Sequence, residues 1–297
     1  MSLPFQAPPW NLKGEGWWIF LSLVGRMKEW MDRAENEDGH IARGLGPAHF
    51  DKLEQYSRTV ANDPLIGFRG GLGLVQIYRY RKSPIGPYDE LLIVPGSFGL
   101  PETLTSQASA LRITRIYVST LVSVLNGRHH WNIPKHLARF EFSEDKILNQ
   151  KIVKVYGLKT FAFEPNHSSV GWTFEPQFFE TPFFCTIIQQ RLPGVVVPYN
   201  LINTLAPNLW LCQPPLESAQ PGSSEQKVKC ALVGTKKWKR FLPHIDGQVG
   251  LCSFHGGLDK RWGRFGDGKK FPDFEAYRIG FHISKVDMNF PEAQVIE

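Results

Sequence analysis

Hydrophobic and polar residues alternate along the chain from about residue 66 onward, and a period of two is typical of a β-strand. Residues 83–87 (SPIGP) then supply the glycine and proline that a tight turn needs, and an apolar segment returns at 88–94. The pattern predicts a β-hairpin. One face of its first strand carries Leu74, Gln76, Tyr78 and Tyr80.

Other stretches predict further strands and helices along the chain. Short apolar or alternating runs predict strands at residues 111–120, 137–142, 151–156, 183–191, 228–234 and 277–286. Apolar residues recurring every three or four positions predict helices at 21–36 and 49–60 and a short helical piece at 121–126. Because no repeat is visible, we predict a single domain over 1–297, with a helical insertion at about 21–60 and a flexible loop at about 214–225.

Composition narrows the class of protein. Apolar residues make up 42% and aromatic residues 13%, which suits pleated sheets and apolar cavities. The net charge of +6 is spread along the chain without a recognition motif, so we predict no nucleic-acid partner. The longest apolar run, residues 17–24, is too short to cross a membrane, and the four cysteines form no C-x-x-C pair. These features predict a cytoplasmic protein without a membrane partner.

Several common signatures are absent. The glycines of residues 67–73 lie in and beside a strand, where neither a dinucleotide fingerprint nor a phosphate loop would place them. Residues 96–99 lack the spacing of a nucleophile elbow. His129, His130 and His136 are close in sequence, but adjacent residues of an extended chain point to opposite sides, so at most two of them converge. We therefore predict neither a metal site nor a cofactor.

The segment 127–142 (GRHHWNIPKHLARFEF) carries the most informative chemistry. Lys135 follows a proline and has the apolar neighbours Trp131, Ile133 and Leu137. A lysine in apolar surroundings can act as a neutral amine and form an imine with a ketone or aldehyde. Composition alone favours a surface position for the same lysine, so the local pattern leaves both interpretations open.

Three segments together resemble the acetoacetate decarboxylase family. The Gly-Arg and Pro-Lys pairs within 127–135 are similar to the segment that carries the family's imine-forming lysine. Residues 86–92 (GPYDELL) resemble its strand with an active-site glutamate, and residues 9–17 resemble the start of one branch. Order and intervals match over about 8–160. The resemblance implies an α+β, mainly β fold: an antiparallel β-barrel or cone with a dry pocket and peripheral helices, often assembled into oligomers.

The chain also departs from the family's pattern. His136 stands where true decarboxylases of the family have a second lysine, and His129 stands where they have a glutamate. In an ungapped reading, the arginine used towards the substrate carboxylate falls on Glu15, and a second pocket glutamate falls on Val75. Arg79 is the candidate substitute for that arginine. Imine chemistry without decarboxylation is therefore a second hypothesis.

The resemblance implies that Lys135 forms a Schiff base with a keto or carbonyl substrate and that Glu90 lies in the same pocket. We predict a lyase that decarboxylates a β-keto acid or performs a related imine-dependent step, with Glu90 or His136 moving protons. The alternatives are an aldolase, dehydratase or cyclase of secondary metabolism, acting on a larger polyketide-like carbonyl compound, and a non-catalytic hydrophobic-ligand-binding protein. A weaker one is an interaction protein that uses the basic residues 236–240. We also predict a homo-oligomer. The predicted substrate-binding residues are Tyr88, Arg128, His130, Trp131 and Arg79.

Overall fold

The computed structural model describes residues 4–21, 34–35, 41–42, 45–101, 108–165, 172–192, 195–200, 210–219, 231–259 and 263–296, with the backbone alone at 34–35, 41–42, 161–165 and 172–174. The helices are α1 Gln55–Ala61 and α2 Leu121–Trp131, with a 3-10 turn at Pro47–His49. The strands are β1 Trp10–Phe20, β2 Ala34–Glu35, β3 Ile41–Ala42, β4 Phe68–Gly70, β5 Leu74–Lys82, β6 Tyr88–Val94, β7 Ser97–Gly99, β8 Ser109–Leu111, β9 Arg115–Val118, β10 Lys135–Asp145, β11 Gln150–Pro165, β12 Trp172–Phe178, β13 Phe184–Arg191, β14 Val197–Pro198, β15 Leu211–Gln213, β16 Trp238–Phe241, β17 His244–Gly256, β18 Ile279–Phe290 and β19 Gln294–Ile296.

Within the described residues, nine strands close into a ring. Their order is β10-β9-β6-β5-β1-β18-β17-β13-β11, and β11 pairs back to β10. The prediction of a mainly β fold is confirmed. Neighbours in the ring are antiparallel except β9 and β10, which run parallel because α2 connects them as a crossover. A second sheet, in the order β19-β16-β15-β8-β7-β4, packs beside the ring.

Contacts between strands that are not neighbours identify the inner face of the ring. The Arg79 guanidinium of β5 lies 4.4 Å from the centre of the Phe142 ring of β10, and Lys151 of β11 is 3.5 Å from Glu15 of β1. Neither pair of strands is adjacent, so these side chains meet inside the ring. We call the apolar residues buried on this face the inner core; they include Trp17, Ile19, Val75, Ile77, Leu91, Ile93, Val153 and Phe254.

The other face of the same strands forms a second apolar cluster. Alternate residues of β1, β5, β6 and β18 turn away from the ring and pack against α2 and the second sheet. We call this cluster the outer core; it includes Trp10, Trp18, Tyr78, Tyr80, Tyr88, Leu92, Trp131, Leu211 and Met288. The strands of the ring therefore separate two apolar regions.

The predicted hairpin is confirmed as β5 and β6. Tyr78 pairs with Glu90 and Tyr80 pairs with Tyr88, so the aromatic face read from the sequence is continuous across both strands. Gly86 in the turn has a φ of +88°, a conformation that glycine adopts without the steric cost of a Cβ atom.

Other element predictions are corrected. The strand predicted at 111–120 is divided into β8 and β9, because residues 112–114 carry the chain from the second sheet into the ring. The helix predicted at 49–60 is reduced to α1, since residues 50–54 form an irregular turn in which the Asp51 carboxylate accepts from the Leu53 N–H. The piece predicted at 121–126 extends to Trp131 as α2.

Three element predictions fall partly outside the described residues. Of the helix predicted at 21–36, residues 22–33 lie outside them, whereas β2 at 34–35 pairs with β3. Residues 231–234 contain no strand, and the rest of the predicted 228–234 strand is not described. Residues 214–219 of the predicted loop have no regular secondary structure, and 220–225 lie outside the described residues. The single-domain assignment stays a prediction.

None of the helices in the described part of the chain has the length and hydropathy needed to cross a bilayer. Nor do the described side chains bring together three or more histidine, cysteine or carboxylate groups that could hold a metal ion.

Candidate active site

Lys135 is the first residue of β10 and follows closely on the end of α2. The helix ends at Trp131 and is capped by Asn132, whose φ of 55° is left-handed, a conformation that asparagine tolerates better than most residues. The Asn132 amide donates hydrogen bonds to the carbonyls of Pro214 and Lys237, at 3.0 and 2.7 Å. These bonds tie the turn to the segments beside β15 and β16, and so fix the start of β10.

The Lys135 amine is enclosed by polar and aromatic groups. Its Nζ lies 2.8 Å from Oε2 of Glu90 and 3.1 Å from Oγ of Ser123. The Tyr88 ring centre is 5.3 Å from the same nitrogen. Lys135 is 4% exposed and Glu90 is 6% exposed, which places the ion pair in a region of low dielectric. A buried amine and a buried carboxylate in direct contact can exchange a proton without help from bulk water.

The sheet register explains why these two side chains meet. Strand β9 lies between β6 and β10, and it pairs with both. Glu90 is opposite Val118, and Lys135 is opposite Ile116. Residues two apart on a strand share a face, so both side chains project to the outer core.

A row of tyrosines continues from this pair. The Tyr80 hydroxyl is 3.5 Å from Oε1 of Glu90, and the Tyr78 and Tyr80 rings stack with centroids 5.3 Å apart. The Tyr78 hydroxyl accepts a hydrogen bond of 2.8 Å from the Trp18 indole. Burial, followed by the nearby Glu90 carboxylate, raises the pKa of Tyr80 and Tyr88 well above the usual value. These phenols therefore remain neutral at physiological pH.

The ion pair lies in a cavity of about 280 Å³ between the ring and the second sheet. Its walls are aromatic and aliphatic side chains of the outer core, with Leu111 and Leu211 contributed by the second sheet. Residues 242–245 also line the cavity, and Leu242 and His244 of this turn are exposed to solvent. The arrangement is an apolar cavity with one amine and one carboxylate in its wall.

Gly127, in the middle of α2, makes room for the lysine. A Cβ atom at this position would clash with Cδ of Lys135 and lie 2.7 Å from its Cε. Glycine inside a helix costs about 1 kcal/mol relative to alanine. We infer that the benefit of accommodating the Lys135 side chain outweighs this cost, which explains why the helix contains a glycine at this position.

We expect the Gly127→Ala substitution to displace the Lys135 side chain from Glu90. The rate at which Lys135 reacts with a carbonyl compound should fall by about tenfold or more, because the amine leaves its proton partner. Ala110→Gly on β8 is a control for a change of the same size outside α2. Rates of adduct formation, measured by intact mass, would contradict the positioning role if Gly127→Ala reacted as fast as the unaltered protein.

Arg128 and His136 belong to a separate buried network. The Arg128 guanidinium is 2.6 Å from Oε1 of Glu54, and both side chains are almost fully buried. Nε2 of His136 is 3.4 Å from the same Glu54 oxygen. Burial alone would raise the pKa of Glu54, but hydrogen bonding from His136 and the charge of Arg128 hold it below its usual value. His136 follows Lys135 on β10 and therefore points to the opposite face.

The remaining predicted residues are divided between the cavity and other locations. Tyr88 and Trp131 line the cavity with Lys135 and Glu90. His130 packs against the Trp131 ring and is not among the described residues that line the cavity. Its pKa is lowered to about 4 by burial and, to a smaller extent, by the charges of His129 and Lys239.

Arg79 does not reach the cavity either. It lies on the inner face of the ring, 3.6 Å from the Asp89 carboxylate. The structure thus brings together four of the predicted site residues and leaves Arg79, Arg128, His130 and His136 elsewhere.

Sequence reasoning missed three residues of the site. Ser123 lies one helical turn before Gly127, so the two residues share a face of α2. This spacing was the signal in the sequence that could have placed Ser123 near Lys135. Gln76 and Tyr80 were placed correctly on one face of β5, but nothing in a single strand shows which face meets the lysine. The register between β5 and β6 supplies that information.

Comparison with known proteins agrees with this architecture. No protein-family model matches the chain. A curated relative, Protein NEOXANTHIN-DEFICIENT 1 of Oryza sativa subsp. japonica, is 30% identical over 195 residues, which are 65% of this chain and 53% of that protein. The chain therefore spans about half the length of this curated relative.

Two solved structures are similar over the whole chain. Acetoacetate decarboxylase from Legionella pneumophila superposes with a TM-score of 0.55 at 10% identity, covering 100% of this chain and 90% of that one. A second acetoacetate decarboxylase structure gives a TM-score of 0.51 at 10% identity, covering 100% and 94%. The chain has the acetoacetate decarboxylase fold, as the resemblance of its three segments implied.

Proposed function

We propose that this protein is an enzyme that forms an imine between Lys135 and a carbonyl substrate, with Glu90 as the proton carrier. The observation that carries the proposal is the 2.8 Å contact between Nζ of Lys135 and Oε2 of Glu90, in the wall of a buried apolar cavity. The shared fold with acetoacetate decarboxylases supports an enzymatic role. A cytoplasmic location and a homo-oligomeric state stay predictions.

The pair supplies what imine formation requires. Transfer of one proton from the Lys135 ammonium to Glu90 gives a neutral amine and a carboxylic acid. The amine adds to the substrate carbonyl, and the resulting carbinolamine loses its hydroxyl as water after Glu90 returns the proton. The products are a protonated imine and the Glu90 carboxylate, so charge and atoms balance. The burial of both side chains holds the reacting atoms away from bulk water.

The protonated imine then withdraws electrons from the adjacent carbon. Loss of a proton from that carbon to Glu90 gives an enamine, the common intermediate of aldol, retro-aldol and dehydration steps. Loss of carbon dioxide from a β-keto acid would give the same enamine. Glu90 and the neighbouring Tyr80 hydroxyl are the proton carriers within reach, because His136 points away from the cavity.

A second candidate function is non-catalytic binding of an apolar ligand. The apolar walls of the cavity favour it, and so does the stable ammonium–carboxylate contact that the unliganded pair can maintain. If the protein only binds a ligand, we expect no reducible adduct on Lys135 with any carbonyl compound. We also expect the Lys135→Met protein to keep its affinity for the ligand.

We expect Glu90→Gln to slow imine formation on Lys135 by about 10²-fold or more, because an amide cannot exchange the proton. The rate is measured by intact mass during incubation with a neutral ketone and cyanoborohydride, and peptide mapping identifies the modified lysine. Glu141→Gln is the matched control, since Glu141 is also a carboxylate that accepts a hydrogen bond, from Tyr156. Equal rates in both variants would remove Glu90 from the proposed chemistry.

A further inference from the structure

The charges around the cavity indicate which substrates it can hold. Among the described residues that line it, the side chains with a formal charge are Glu90, Lys135 and, when protonated, His244. His244 lies at the solvent-exposed end and is 3.2 Å from the Asp246 carboxylate. The buried part of the cavity therefore contains one cation and one anion, and these two neutralise each other.

The other polar groups of the described wall are neutral. Four tyrosines and Gln76 are among the residues that line the cavity. Burial raises the pKa of Tyr78 well above the usual value and that of Tyr199 to about 12. Phenols and an amide offer hydrogen bonds to hydroxyl, ether or carbonyl oxygens without adding charge.

Three arginines, Arg79, Arg115 and Arg128, are held away from the cavity by their own partners. Arg79 is on the inner face of the ring beside Asp89, and Arg128 is paired with Glu54. Arg115 donates to the carbonyls of Ala48 and Phe50, at 2.8 and 2.7 Å. None of these guanidinium groups lines the cavity in the described part of the chain.

We propose that the substrate is a neutral, largely apolar carbonyl compound that carries no carboxylate. This inference rests on the proposed imine chemistry of Lys135 and names its substrate class. Condensation of a neutral ketone or aldehyde leaves a protonated imine beside the Glu90 carboxylate, so the buried charges balance. Condensation of a keto acid would place a second carboxylate in the same apolar space with no cation to match it, which is strongly unfavourable.

The shape of the cavity agrees with this substrate class. It continues from Lys135 between the ring and the second sheet to the exposed turn at 242–245. Its volume of about 280 Å³ approaches the lower end of the range typical for pockets that bind drug-sized ligands, roughly 300–1,000 Å³. An apolar chain or ring system fills this space, with the reacting carbonyl at Lys135 and the remainder directed toward the turn.

A size-matched pair of ketones tests the inference on the unaltered protein. Methyl 4-(3-oxobutyl)benzoate and 4-(3-oxobutyl)benzoic acid share one skeleton, and only the acid carries a charge. With cyanoborohydride, the ester should label Lys135 at least about tenfold faster than the acid. Equal labelling by both compounds would overturn the neutral-substrate inference and leave the imine mechanism standing. Absence of any Lys135 adduct, in protein shown to be folded, would overturn the imine mechanism and this inference with it.

A substitution at Gln76 reverses the expected preference. Gln76 lines the cavity and lies two residues from Tyr78, which pairs with Glu90 across the hairpin. Gln76→Arg supplies the missing cation, so labelling by the acid should rise about tenfold relative to the unaltered protein. Gln76→Met is the neutral control of similar length and should not raise labelling by the acid. A Gln76→Arg protein that still labels with the ester but rejects the acid would contradict the electrostatic explanation.

Discussion

Replacement of Lys135 by methionine is expected to abolish the reducible adduct with every carbonyl compound and to lower turnover by about 10³-fold or more. No other described side chain of the cavity carries a primary amine, so no nucleophile remains to form the imine. Intact mass after cyanoborohydride treatment and the rate of substrate consumption measure the two effects.

The matched control is Lys270→Met. Burial lowers the pKa of Lys270, which makes it another lysine able to react as a neutral amine, but it lies over the Phe179 ring outside the cavity. Adduct formation at Lys135 should be unchanged in this variant. Persistence of substrate-dependent turnover in Lys135→Met would exclude the covalent mechanism.

The same substitution also tests the energetics of the ion pair. Methionine leaves the Glu90 carboxylate buried without its partner, a situation that typically costs about 3–5 kcal/mol. The double variant Lys135→Met/Glu90→Gln removes the unpaired charge and should recover much of the lost free energy of unfolding. Urea denaturation of the unaltered protein, Lys135→Met, Glu90→Gln and the double variant gives the double-mutant cycle. The double variant separates the two effects of Lys135→Met. It should regain stability, whereas it should still form no adduct because the amine is absent.

Arg128→Met is expected to cause a large loss of stability, about 3–5 kcal/mol, or a decrease in Tm on the order of 10 °C. The Arg128 side chain is fully buried, contacts Glu54 at 2.6 Å, and donates to the carbonyls of Glu217 and Val233 at 2.7 and 3.0 Å. Its removal takes the guanidinium away from the buried Glu54 carboxylate, which keeps the His136 imidazole at 3.4 Å, and leaves two carbonyls without this donor.

Arg139→Met is the matched control for this prediction. Arg139 is exposed on β10 and lies over the Tyr156 ring at 3.9 Å, an interaction worth about 1 kcal/mol or less at such a site. Thermal unfolding of both variants, with Arg128→Met/Glu54→Gln as the compensated protein, measures the difference. An Arg128→Met protein as stable as Arg139→Met would show that the buried pair contributes nothing to the fold.

The sequence alone was informative where local patterns determine structure. Alternation along β5 identified both the strand and the common face of Tyr78 and Tyr80, because side chains on a strand necessarily alternate. The turn around Gly86 specified the hairpin, since only a few residues accept its backbone conformation. The segment around Lys135 also allowed the fold to be expected from resemblance, which the comparison with solved structures confirms.

The sequence was uninformative where distant residues determine the environment. Arg128 is held by Glu54, 74 residues earlier, and no local pattern connects the two. His136 was interpreted as a proton carrier because it follows Lys135, although alternation along β10 already argues for opposite faces. Likewise, the space required by Lys135 explains Gly127 only once α2 and β10 are seen together.

The division of the molecule into an inner core and an outer core bears on how such a protein changes during evolution. Residues that touch the ligand cavity belong to the outer core, whereas the packing that closes the ring belongs to the inner core. We expect exchange of a cavity residue such as Leu12, Leu74 or Met288 to change the shape of the cavity while the inner core keeps its own contacts. If the proposed function holds, new substrates could then be acquired one side chain at a time around Lys135 and Glu90.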